Sequence, residues 1–123
     1  MNPAFLQEYI ACSAIYYPNG DKFQLQPANI DNGFVACGHR HAHCRIPLVE
    51  MFYPNWQEER DSGMPLEEQP RIHVIRNEIQ GFLTSKNRFV DRIEGMAIAL
   101  AADQILPDRK RNLQEILYSE DIY

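Results

Sequence analysis

The sequence predicts an α+β fold, an N-terminal antiparallel β-sheet packed with C-terminal α-helices, in one domain spanning residues 1–123. Three observations carry this. Seven of the eight prolines lie in the first 70 residues, so strands and loops belong to the first half and helix to the second. Short apolar runs before residue 39 are separated by Pro, Asn and Gly turn signals. Apolar residues from Phe89 through Ile93, Met96, Ala97, Leu100 and Ala101 to Ile105 recur at three and four positions, as on one helical face.

Taken in order, Glu8 to Tyr17 is small, apolar and aromatic without helical period, which predicts a mostly buried strand. Pro18-Asn19-Gly20-Asp21 is a turn. Lys22 to Gln26 alternates polar and apolar, as a half-buried strand does. Asn29 to Gly33 is a second turn, and Phe34 to Gly38 a third strand, making an antiparallel meander. From His41 the residues Ala42, Ile46, Val49, Met51 and Phe52 can line one helical face, with Pro47 tolerated in the first turns and Tyr53-Pro54-Asn55 as the stop. Residues 53–70 are acidic, rich in proline, and predict a long exposed loop. Arg71 to Ile79 fits strand and helix equally. Gln80 to Thr84 predicts a strand and Ser85 to Arg88 its turn. In Asp91-Arg92-Ile93-Glu94, Asp91 is placed to cap a helix that Pro107 ends. Leu113, Ile116, Leu117 and Ile122 predict a tail that docks back on the body.

Composition narrows the function. The chain of 123 residues is 45% apolar and 24% charged, which excludes wholesale disorder. No apolar run approaches membrane-spanning length, and Met1 to Glu8 lacks a basic stretch followed by an apolar one, so neither a membrane nor a signal peptide is expected. Three cysteines, at 12, 37 and 44, make no disulfide framework, and a reducing cytoplasm is the expected location. The net charge of −5 falls entirely within residues 46–70, where six acids face Arg60 alone. That balance disfavours long nucleic acid as a partner. A small anion remains compatible, because two basic clusters stand elsewhere, 39–45 and 108–111.

Three constellations could carry chemistry. Cys37-Gly38-His39-Arg40-His41-Ala42-His43-Cys44 holds imidazole and thiol ligands for zinc or copper, yet its spacing lacks a second ligand pair downstream. The simpler reading, which the weak spacing favours, is a strand-to-helix corner whose His and Arg donate to an anion. The segment 81–92 brings Phe82, Asn87, Arg88, Phe89, Asp91 and Arg92 together just before a helix, where aromatic faces stack on bases and guanidinium forks grip phosphate. A plain strand, turn and cap with both phenylalanines in the core is the competing reading. Arg109-Lys110-Arg111 could close over a pyrophosphate, or simply sit as a solvated helix end. No Gly-x-Ser-x-Gly, phosphate-binding glycine loop or Gly-x-Gly-x-x-Gly is present.

Taken together, the strand Ile10 to Ile15, the corner Gly38-His39-Arg40-His41 with His43, the strand Gln80 to Thr84, the segment Asn87 to Arg92, the helix end Ala101 to Ile105 and the tail Leu117 to Tyr123 form an ordered pattern. It resembles the first class of phage Thoeris anti-defence proteins, the sponges for cyclic ADP-ribose isomers, over most of the chain except 53–79. The resemblance implies an antiparallel sheet with C-terminal helices, assembled as a homodimer or a dimer-based hexamer. It implies sequestration without catalysis or cofactor, of a signal such as glycocyclic ADP-ribose, in the infected cell. Cyclic di- or trinucleotides at a subunit interface are a further implied ligand class. Phe82 would stack on the base, Arg109 or Arg111 would grip the pyrophosphate, Asp91 and Arg92 would meet ribose or phosphate, and Arg40 and His41 would add donors. Asn87 and Phe89 complete the expected ligand-binding set.

A sponge for a scarce signal must bind at about nanomolar, near −12 kcal/mol. A single exposed ion pair, worth roughly 0–1 kcal/mol, falls far short. Two other readings stand beside it: a small nucleotide-processing enzyme using His41, His43 or Asp91 as base, and a metal-binding accessory protein built on His39, His41 and His43.

Overall fold

The structure is a computed structural model, and it describes residues 7–123; the expectation about an N-terminal leader falls largely outside them. Four strands form one antiparallel sheet in the order β2-β1-β3-β4: β1 (Ile10–Tyr17), β2 (Phe34–Gly38), β3 (Ile79–Thr84) and β4 (Phe89–Asp91). The helices are α1 (His41–Phe52), α2 (Trp56–Asp61), α3 (Ile72–Asn77) and α4 (Arg92–Ala101). The expected α+β class holds. β1 is central: Ala14 pairs with Cys37 on one side and with Gly81 on the other.

Alternation decides the two faces. Ser13, Ile15, Tyr17, Ala36, Phe82 and Val90 point toward the helices, where two buried clusters form around Leu48 and Val74 and around Phe82, Met96 and Leu117. On the other face Ala14, Val35 and Phe89 are covered by Ile30 from the loop between β1 and β2. The ion pair Arg45–Glu78 ties α1 to the start of β3 through a two-pronged contact, Nε to Oε2 at 2.9 Å and Nη2 to Oε1 at 2.5 Å.

Several expectations are corrected. Residues 22–26 are not a strand: Leu25 has φ +63° and stands 98% exposed, which breaks extension. Gln26 instead accepts the Val35 N–H through its side-chain oxygen at 2.7 Å. Consequently the N-terminal strands are not a simple meander, and the partner of β1 on its far side is β3. The acidic stretch 53–70 is not featureless. It holds α2 and a 3₁₀ turn at Leu66–Glu68, anchored by buried Trp56 and Gln69.

Both long helices are rotated from the expected faces. α1 buries Cys44, Leu48 and Val49, leaving Ile46 and Met51 exposed. α4 buries Gly95, Met96 and Ala99, leaving Ile93 and Leu100 exposed. The expected stop also moves: α4 ends at Ala101, Asp103 takes φ +55°, and Pro107 opens a 3₁₀ helix over Pro107–Asn112. Asp91 caps α4 as expected, accepting the Ile93 and Glu94 N–H groups at 3.0 and 2.8 Å. The tail does dock, with Leu117 fully buried and Ile122 nearly so.

Candidate functional site

Arg40 is the N-cap residue of α1 and Arg92 the first residue of α4. The two helices start at neighbouring points of the same sheet face, and the tail 117–123 lies across both starts. Arg92 donates through Nη1 to the Leu117 carbonyl at 2.8 Å and through Nη2 to Gln80 Oε1 at 2.5 Å. Its guanidinium carbon sits 5.0 Å from the centre of the Tyr118 ring. Arg40 donates through Nη2 to the main-chain oxygen of Tyr123 at 2.8 Å and lies 5.2 Å over that residue's ring.

His41 bridges the two. Its Nε2 bonds the Gly81 carbonyl at 2.8 Å, and its Nδ1 lies 3.3 Å from Arg92 Nη2. A guanidinium can only donate, so Nδ1 accepts and Nε2–H donates, which fixes the neutral tautomer. Burial lowers the imidazole pKa, and the Arg92 charge adds to that despite the Gly81 carbonyl. Burial likewise lowers the pKa of Arg92.

Three guanidinium groups, of Arg40, Arg92 and Arg109, stand here with two carboxylates, Glu120 and Asp121. The first turn of α1 carries no acid to meet the positive helix end. Arg40 Nη1 is buried with no hydrogen-bond partner among the described residues. Glu120 Oε1, 3.9 Å from Arg40 Nε, is a loose and half-exposed counterion. Arg109 joins from the other end of the tail, donating through Nε to buried Asp121 at 3.0 Å, whose second oxygen accepts the Tyr118 N–H. The cavity of about 350 Å³ beside α2, by contrast, is lined by Glu50 and Glu58 with Trp56 and would repel phosphate.

The structure thus brings Arg40, His41, Arg92 and Arg109 together around one strip of chain. The other expected residues lie apart from it or beneath it. Phe82 has no exposed surface; its ring meets His41 edge-on at 5.3 Å and fills the core, so it offers no face to a base. Phe89 is buried on the opposite sheet face, 5.5 Å from Tyr16. Asn87 holds φ +56° in the exposed β3–β4 turn. Asp91 is occupied as the α4 cap, and Arg111 is exposed on the 3₁₀ helix.

The histidine cluster is split, with the His39 and His43 rings 6.1 Å apart and His41 directed elsewhere. His41 turns inward, His39 stacks on Tyr123 at 4.9 Å, and His43 Nδ1 accepts the Arg40 N–H at 3.1 Å. Among the described residues no group of three or more His, Cys, Asp or Glu side chains is placed to hold a metal. No helix among them is long and apolar enough to cross a membrane.

Residue-by-residue reading missed Tyr118, Glu120, Asp121 and Tyr123 as parts of the site. Tyr123 is anchored by its phenol, which accepts the Ser13 N–H and hydrogen-bonds Ser13 Oγ, both at 2.8 Å. The aromatic and acidic character of 118–123 was the available signal. The family model described as Phage T4 y16D protein matches residues 9–123. No curated protein and no solved structure matches the chain.

Proposed function

We propose, on the premise that this chain belongs to the Phage T4 y16D protein family, that it binds a small cyclic nucleotide in the infected cell and withholds it intact. The ligand class is a cyclic ADP-ribose isomer such as glycocyclic ADP-ribose, and the consequence is a blunted Thoeris-type defence. The observation that carries the reading is the pair Arg40 and Arg92, with the buried Nη1 of Arg40 left without a partner. A pyrophosphate could meet that N–H, and desolvated guanidinium–phosphate bonds are the strong ones. His41, held neutral, positions Arg92 rather than acting as a base. The exposed Tyr118 ring beside Arg92 is an aromatic face that Phe82 cannot supply.

Calorimetric titration with glycocyclic ADP-ribose, followed by heating and chromatography of the released ligand, tests this. Tight binding with the cyclic nucleotide recovered unaltered is the expected outcome. Recovery of a linear or hydrolysed product would establish an enzyme instead. No heat would remove this ligand from the reading.

A further inference from the structure

The three cysteines are not equivalent. In β1, Ser13 faces the helices, and its carbonyl accepts from Cys44 Sγ at 3.5 Å. Strand alternation therefore puts Cys12 on the opposite face, with Ala14. Cys37 shares that face, two residues beyond Val35, which packs there against Ala14. Ala14 is directly opposite Cys37, so Cys12 is the diagonal neighbour of Cys37 across the β1–β2 ladder. The two thiols lie near enough to perturb each other's ionisation. Cys37 is exposed, Cys12 partly so, and Cys44 is completely buried.

We propose that Cys12 and Cys37 form a thiol-exchange site, which reacts with a small disulfide from solution and closes into a disulfide between β1 and β2. The Cys12 thiolate attacks one sulfur of the incoming disulfide. That S–S bond breaks, and one small thiolate leaves and takes a proton. Cys37 then gives its proton to solvent and attacks the Cys12 sulfur, forming the intrachain bond and expelling the second small thiol. The two cysteines lose two electrons and the incoming disulfide gains them.

The asymmetry suits the two roles. The neighbouring Cys37 thiol lowers the Cys12 pKa, favouring the thiolate despite partial burial. The neighbouring Cys12 thiolate raises the Cys37 pKa and keeps it protonated until the second step. Burial pushes Cys44 up to about 11 and leaves it out of the exchange. Closure must draw a diagonal pair together, and Cys12 stands one residue beyond Ser13, where the pairing of β1 with β2 ends.

The test incubates the reduced protein with oxidised glutathione at neutral pH and reads intact mass and non-reducing peptide maps. The expected wild-type product has lost two hydrogens, joins the Cys12 and Cys37 peptides, and keeps a free Cys44. Cys37→Ser should stop at one glutathione on Cys12. A wild-type product that retains glutathione, involves Cys44, or shows no change would overturn the proposal, and so would glutathione on Cys44 in the variant. The wild-type arm stands whether or not the variant folds.

Discussion

The guanidinium of Arg40 lies 5.2 Å over the ring of Tyr123 and donates to the same residue's main-chain oxygen at 2.8 Å. One residue therefore engages the cation twice, and its phenol engages Ser13 of the central strand. Tyr123→Phe keeps the ring and removes only the hydroxyl, leaving the Ser13 N–H unmatched in a buried setting. The expected loss is about 1–3 kcal/mol. Urea denaturation with an unchanged slope would check it.

Arg92→Lys preserves charge but not the fork. A lysine cannot reach the Leu117 carbonyl and Gln80 Oε1 together. Under the proposed function, affinity for the cyclic nucleotide should fall at least about tenfold, or 1.4 kcal/mol. Calorimetry measures it, and an unchanged affinity would remove Arg92 from the binding set.

Phe82 separates packing from stacking. Phe82→Ala should cost about 3–5 kcal/mol, because the ring is entirely inside. A loss of binding in that variant would report unfolding. Phe82→Leu retains most of the volume, and we expect it to bind the nucleotide with wild-type affinity. Abolished binding in a folded Phe82→Leu protein would restore the stacking role.

Gly81→Ala tests a close approach. A Cβ there would stand 2.0 Å from the Val90 carbonyl oxygen and 2.8 Å from the Phe89 ring. Main chain cannot yield as a side chain can, so the expected penalty is about 3 kcal/mol, the upper end of ordinary overpacking. A shift in the denaturation midpoint is the readout.

Acid should loosen the β3–β4 turn. Glu8 accepts from Arg88 at 2.8 and 2.9 Å and from Thr84 at 2.6 Å. The Arg88 hydrogen bonds, opposed by burial, lower its carboxyl from an ordinary 4.5 to about 2. A lowered folded pKa means that the unfolded chain takes up the proton first. The stabilisation is complete above about 4.5 and fades as pH falls toward 2. Glu8→Gln should flatten this part of the acid-unfolding profile, measured by circular dichroism.

Local chemistry explains what was legible. β1, β2, β3, the 85–88 turn and the Asp91 cap depend on neighbours in sequence, and each stands where it was expected. The face of α4 was not legible because Gly95 is its closest approach to the sheet: a Cβ there would lie 3.0 Å from the Phe82 ring. A glycine adds nothing to an apolar stripe, so the stripe pointed to Ile93 and Leu100 instead. The site was half legible for a related reason. Arginine and histidine near helix starts were visible, but their partners lie 25 residues away for Arg92 and 83 for Arg40.

The central position of β1 bears on how the chain is made. A ribosome releases residues 10–17 early, and β2 follows soon after to cover one edge. The other edge stays open until residues 79–84 emerge, and the Ser13–Tyr123 contact spans 110 positions. A nascent chain therefore carries an unpaired apolar strand through most of its synthesis, the kind of edge on which chains associate. Messages truncated before residue 79 should yield aggregated product, while full-length translation should yield soluble protein.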